Sequence, residues 1–344
     1  MSTTYRRTHI KGKQLLYRAV PFAVGLAAAI IMLLLFAPVS RLHTVWQFLS
    51  GAVTSRYYIG TVLNTATLLI TAALGSGIAI TAGEYNIGGE GQIYAGGFTA
   101  AVILAHVPLP PALALVAAGL AGSGVSALLA LISAALRHFK NASVLLTSFV
   151  VSSAVIPIID GLIAGPARGQ TGNLLATAFI PENTRFPRLL PPAPLSAAAA
   201  VIPLLCVCAW WYLYRTTGGR RLRIRGTAPL FAEYCGYPRA AMLYGALAAS
   251  GAFHGLCGFI AVCGTYFTCH TGFYSGIGWN ALSCALIAQS HPIALIPAGL
   301  VLSWLFTSAS RVAIANNFGF DMNALIQGLI IFALSIKSIR RNKR

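Results

Sequence analysis

The sequence predicts an all-α polytopic membrane protein, on three observations. Hydrophobic residues make up 57% of the 344, charged residues only 9%, and the mean hydropathy is +0.75. A soluble domain needs roughly a quarter of its residues charged. The apolar runs are about 20 residues long, the length of a spanning helix, whereas barrel strands are ~10-residue alternating segments. Finally, the 24 Lys and Arg, against 6 Asp and Glu, gather between the runs. There they set orientation and meet anionic head groups. Nucleic-acid binding is disfavoured, because no basic stretch is interleaved with aromatics on a soluble domain.

Residues 1–18 carry Arg6, Arg7, Lys11, Lys13 and Arg18. The apolar run 19–39 follows, longer than the ~7–15 residues of a signal-peptide core. It reads as an uncleaved first span with the N-terminus in the cytoplasm. Nine further runs follow, at 58–80, 91–107, 110–136, 143–164, 194–214, 240–262, 276–289, 292–310 and 322–337. About ten spans are expected, and the short runs near 276–310 leave eight or nine open. An even count returns the C-terminus to the cytoplasm. Segments assigned inside (1–18, 137–142, 215–239 and 337–344) hold 18 Lys/Arg, and outside segments hold 6. That bias has the expected direction. The domain plan is a basic N-terminus (1–18), one transmembrane domain (19–337) with an inside loop at 215–239, and a basic tail (338–344). The proline-rich stretch 165–193 reads as an extended outside loop.

Within this frame "GEYNIGGEGQ", Gly83 to Gln92, stands out. It holds two of the six carboxylates, Glu84 and Glu90, and no Lys or Arg lies between Arg56 and Arg137. Non-helical backbone at membrane depth is tolerated only inside protein or beside a water-filled cavity. A broken or re-entrant segment is therefore expected near 81–92. Glu90 and Gln92 fall at the start of the next helix, where its dipole favours negative or accepting groups. Asn64, Asn86, Gln92, Asn280 and Gln289 can bond a polar solute, or bond helix to helix. Glu84 and Glu90 carry the same two readings. Tyr266, Phe267, Phe273, Tyr274 and Trp279 form either an interfacial belt or a stacking rim for a flat ring.

The inside loop carries a second signal. Arg220 to Arg225 mark the surface. Thr227 is then expected to cap a short helix with Pro229 in its first turn, Glu233 near its middle and Gly236 as its stop. Held at both ends, such a helix can transmit force from a soluble partner, or it is an ordinary interfacial helix. Gly251 and Gly255 form a small-xxx-small pattern around His254, whose expected role is a structural hydrogen bond. The seven cysteines lie mostly in apolar runs as small hydrophobes. Cys206 and Cys208 lack the second pair of a zinc site, and Cys263 and Cys269 could pair only on an oxidising face. No G-x-x-x-x-G-K-[ST], H-E-x-x-H or G-x-S-x-G is present. No enzyme activity, cofactor or metal is expected.

"RLRIRGTAPLFAEYCGYPRAAMLYGALAASGAFHGLCG" resembles the coupling segment and next span of permease subunits in bacterial ABC importers of the nucleoside, simple-sugar and branched-chain amino-acid type. "YNIGGEGQIYAGG", "IPENTRFPRLLPP" and "GIGWNALSCALIAQSHP" resemble the same family, in its order. Cys235 departs from a usual alanine, and 264–275 is unusually aromatic. The resemblance implies a permease subunit, working by alternating access in the bacterial inner membrane. It implies partner ATP-binding subunits, a second permease, like or unlike, and an extracytoplasmic solute-binding protein. The ATPase would act on Thr227, Pro229, Glu233, Tyr234 and Gly236. Expected solute-path residues are Asn64, Asn86, Glu90, Gln92 and Asn280. The implied solute is a nucleoside, a nucleoside-like ring such as riboflavin, or a simple sugar. The alternative is an ATP-independent secondary transporter or channel. Such proteins usually show internal repeats and intramembrane ionisable groups, and here only Asp160, Glu84 and Glu90 are candidates.

Overall fold

In the computed structural model, residues 20–36, 40–170, 172–274, 276–318 and 321–342 are described. The expected basic N-terminus 1–18 lies outside these residues, as do 343–344 of the expected tail. The chain is all-helical: α1 (Val20–Phe36), α2 (Arg41–Gly51), α3 (Arg56–Thr81), α4 (Gly89–His106), α5 (Pro111–Lys140), α6 (Val144–Ala164), α7 (Ala198–Arg215), α8 (Thr217–Thr227), α9 (Pro229–Tyr234), α10 (Arg239–Ala261), α11 (Ile277–Ile287), α12 (Leu295–Ala315) and α13 (Met322–Asn342). Among the described residues, six stretches are long and apolar enough to cross a membrane: α3, α5, α6 and α7, together with Arg239–Tyr266 and Pro292–Ala315. Val20–Phe36, α11 and Met322–Leu334 are shorter apolar helices. The helix α4 keeps to its expected run, but its first turn is polar, with Glu90 and Gln92.

The bundle is built around α3 and α10. Both are buried along most of their length, while α5 and α6 leave most of theirs on the outside. The sequence explains the contrast. Towards its centre α10 reads small residue after small residue, Ala248, Ala249, Ser250, Gly251, Ala252 and Gly255, so neighbours approach closely. A Cβ on Gly255 would strike the carbonyl of Gly122 on α5, and one on Gly96 of α4 would strike the backbone of Gly255. A Cβ on Gly122 would in turn lie 2.6 Å from the Gly96 carbonyl. Three helices thus meet at backbone contact. The expected Gly251/Gly255 pattern lies at this junction, with Gly251 against Ser126 and Ala130.

One local expectation needs correction, and three further segments show detail beyond what was expected. Thr227 does not cap a helix: it closes α8, its Oγ1 donating back to the Arg223 (2.9 Å) and Ile224 (3.3 Å) carbonyls. The N-cap of α9 is Ala228, with no side-chain hydrogen bond. The basic stretch 220–225 is itself helical, within α8, because Thr216 caps it by accepting from the Gly219 N–H (3.1 Å). The loop 165–193 does not run free. It is tied to the segment after α10 by Thr177 N–H to Cys269 O, Ile180 N–H to Phe267 O and Phe186 N–H to Cys263 O, each 2.9 Å. And α11 has 11 residues, about 16 Å at 1.5 Å per residue, too short to cross alone.

Candidate functional site: the break between α3 and α4 and the arm against it

The chain leaves helix after Thr81 and re-enters it at Gly89. The exit is a tight turn, with Gly83 at φ +85° where an L side chain is strained. The residues between do not face water freely. Asn86 and Gln92 are each 2% exposed. Asn86 Nδ2 donates to Gln92 Oε1 (2.9 Å) and Ser250 Oγ (3.0 Å). Asn86 Oδ1 accepts from the Gly88 N–H (3.1 Å) and Gln92 Nε2 (3.2 Å). His254 Nδ1 lies 2.8 Å from Gln92 Oε1. That oxygen only accepts, so Nδ1 carries the proton and Nε2 accepts from Ser76 Oγ at 3.2 Å. Backbone donors of the break find serines on α6: Ile87 N–H to Ser148 Oγ (3.1 Å) and Gly91 N–H to Ser152 Oγ (2.8 Å). On α5, Ser126 Oγ donates to the Gln92 carbonyl (2.6 Å). The break and the first turn of α4 are therefore tied to α5, α6 and α10 at once, and through His254 to Ser76 of α3, as backbone inside a membrane bundle must be.

The two carboxylates part company. Glu84 turns to the basic end of the bundle, where its Oε1 lies 3.6 Å from Arg137 Nε and 3.5 Å from Arg225 Nη2. Burial lowers the pKa of Arg225 from its ordinary value. Glu84 counteracts this, while Arg239 and Arg137 add to it. Glu90 turns the other way, its Oε1 accepting from the Gly276 N–H (2.8 Å) just before α11. Asn280 Nδ2 and Gln327 Oε1 both border Gly276, and Asn280 Oδ1 is buried with no partner among the described residues. One turn beyond Glu90, Tyr94 Oη donates to Asp160 Oδ1 (2.6 Å), and its ring lies 4.6 Å from that of Tyr274.

Of the expected path residues, the structure thus brings Glu90 and Asn280 to one strip and places Asn86 and Gln92 in the buried network. Asn64 is also buried, donating to Thr265 Oγ1 (3.0 Å) in the segment after α10. The aromatics divide similarly. Phe273 sits in the core with its ring near Tyr94 and Tyr266, Phe267 lies beneath Arg185 and Arg188, and Tyr274 and Trp279 stay half-exposed. Asp160 and Gln327 were not among the expected path residues. Asp160 was noticeable as a lone acid in an apolar run. Gln327 gave no signal, because one glutamine in a helix is unremarkable. Among the described residues all seven cysteines are free.

At the basic end, α8 and α9 form an arm. The backbones of Gly83 and Gly226 meet directly: a Cβ on Gly83 would lie 3.1 Å from Gly226 Cα. Beyond it, α9 buries Ala232 and leaves Leu230, Phe231 and Tyr234 exposed, Tyr234 at 91%. Gly236 takes φ +70° and ends the arm. Pro229 opens α9, and Glu233 lies 3.3 Å from Arg239.

The described residues thus form a helical bundle with stretches long and apolar enough to cross a membrane, a buried polar break, and a folded arm against that break. A family model described as the permease component of branched-chain amino acid transport systems matches residues 58–335, and the chain belongs to that family. It is similar to a probable riboflavin import permease protein of Treponema pallidum, 31% identical over 333 residues, covering 95% of this chain and 88% of the relative. It is also 25% identical over 342 residues to a guanosine ABC transporter permease protein of Bacillus subtilis, covering 95% and 94%. With a glucose ABC transporter permease protein of Haloferax volcanii the identity is 28% over 291 residues, covering 82% and 77%.

Proposed function

We propose that the chain is the membrane-spanning subunit of an ATP-driven importer, moving its solute by alternating access. The bundle crosses the bacterial inner membrane about ten times, with both termini in the cytoplasm. The shorter apolar helices, together with the irregular segments that precede α4 and α11, make up the crossings beyond the six long ones. Two ATP-binding subunits, a second permease and an extracytoplasmic binding protein complete the assembly. The observation that carries this reading is the seat of the arm. The exposed Leu230, Phe231 and Tyr234 give an ATPase an apolar grip. The other side of the arm rests through bare glycine backbone on the elbow of the α3–α4 break. A push on α9 therefore reaches the break with no flexible side chain between.

The solute strip runs past Glu90, Asp160, Tyr274, Trp279 and Asn280. Carboxylates are its only charges among those residues, and its aromatic rings offer faces to a flat ring. A neutral ring compound with hydrogen-bond donors suits it, as the names of the riboflavin and guanosine relatives suggest. A phosphorylated analogue would meet negative charge at low dielectric.

The test is reconstitution with the partner ATPase and binding protein. ATP-dependent uptake is expected, and it should be lost when 227–236 is shortened. Riboflavin or guanosine should compete for uptake, and their phosphorylated forms should not. Uptake by the purified chain alone, driven by an ion gradient, would overturn the importer reading.

A further inference from the structure

A cavity of about 150 Å³ opens at the basic end, between the break after α3, the end of α5 and the α8–α9 arm. Its wall holds three guanidinium groups, from Arg137, Arg225 and Arg239, and two carboxylates, from Glu84 and Glu233. The cations are in excess by one, and their compensation is uneven. Arg137 and Arg225 share a single oxygen, Glu84 Oε1, at 3.6 and 3.5 Å, while Glu233 serves Arg239 at 3.3 Å. Arg225 is only 9% exposed, and its Nη1 has no acceptor among the described residues. A buried charged donor without a partner is costly to leave so. The remaining neighbours deepen the imbalance: Tyr237 lines the cavity and carries the guanidinium of Arg221 5.4 Å from its ring centre.

We propose that this cavity binds a phosphate group, either the head group of an anionic lipid or free inorganic phosphate. Phosphate brings several acceptor oxygens and suits the two-pronged geometry of arginine. It can therefore offer acceptors to Arg137, Arg225 and Arg239 together, all three of which line the cavity. Both sources are at hand where spans end at a membrane surface, since basic clusters there attract anionic head groups. A bound phosphate would join α5, the start of α10 and the arm, and so set how firmly the arm is held to the bundle. The site goes beyond the importer reading and does not depend on the solute.

The full chain, purified in neutral detergent, is titrated with inorganic phosphate at constant ionic strength, and its thermal midpoint is followed. In a second arm it is placed in phosphatidylcholine nanodiscs with or without phosphatidylglycerol, and retained lipid is read by native mass spectrometry. A midpoint that rises with phosphate assigns a soluble ion. Retained phosphatidylglycerol with no response to inorganic phosphate assigns a lipid. In either case Arg225→Gln should weaken binding about tenfold or more, as for loss of a charge-assisted hydrogen bond. Arg239→Gln, at a half-exposed position of the same wall, should weaken it too, and it decides the matter if Arg225→Gln does not fold. Binding by neither probe, or equal binding by wild type and the folded variants, overturns the proposal. If neither probe binds while ATPase affinity still falls in Arg225→Gln, the occupant is a partner's carboxylate instead, and the proposal is overturned in that way.

Discussion

Glu90 and Gln92 sit two residues apart on α4 and point into different chemistry. Gln92 is closed into a network with Asn86, Ser250 and His254, whereas Glu90 borders the strip at Gly276. Their substitutions should therefore separate stability from transport. His254→Ala removes a partner from both Gln92 and Ser76 and leaves a void, and it should cost about 1–3 kcal/mol. The expected result is a lower thermal midpoint with the KM for solute little changed. Glu90→Gln retains an acceptor for the Gly276 N–H, so the midpoint should hold while uptake falls. A Glu90→Gln protein that melts early but transports normally would reverse this assignment. The sequence made all these residues noticeable, as polar groups in grease. It did not reveal their direction, because a side chain's facing depends on the exact residue at which α4 begins. Gly88 and Gly89 permit several starting points.

At the scale of elements, the junction of α4, α5 and α10 sorts glycines that look alike in sequence. Gly122 and Gly124 lie on the same helix, but a Cβ on Gly122 would meet the Gly96 carbonyl, and nothing lies within 4 Å of one on Gly124. Gly122→Val should destabilise by about 1–3 kcal/mol or more. Gly124→Ala should leave the protein unchanged or slightly stabilised, since glycine inside a helix costs about 1 kcal/mol relative to alanine. Thermal melting of the two variants beside the wild type checks this contrast. The ion pair of the arm gives a second test. Glu84→Arg places a third guanidinium against Arg137 and Arg225 and should uncouple ATP hydrolysis from uptake. Glu84→Arg combined with Arg225→Glu restores an opposite pair and should recover part of the coupling. Helix existence was legible wherever an apolar run was long, as in α3, α5 and α10. The elements not foreseen, α2 and α8, lack such a run: α2 interleaves Arg41, His43 and Gln47 with apolar residues, and α8 carries four arginines. The run 276–289 was legible as helix too, to within a residue or two at each end: α11 spans Ile277–Ile287, opened by Gly276 at positive φ.

For the whole molecule, the class of protein follows from composition alone, because so few charges cannot cover a soluble surface. The orientation rests on the distribution of cations, and the native cysteines offer a direct check. Cys235 is exposed at the end of the arm, beyond α9. Cys208 is exposed on α7, among apolar residues on a helix long enough to span. The remaining five are buried. A charged reagent does not enter hydrocarbon, so Cys208 should resist a charged maleimide. With the arm in the cytoplasm, Cys235 should be protected in intact cells and labelled once they are permeabilised. A cysteine placed at Asn173, in the loop between α6 and α7, should show the opposite pattern and label in intact cells. Background from buried thiols is controlled by Cys235→Ala, which should abolish labelling after permeabilisation. If Cys235 labels in intact cells while Asn173→Cys does not, the orientation is inverted. The arm would then face away from any cytoplasmic ATPase, and ATP-driven import would lose its mechanical basis.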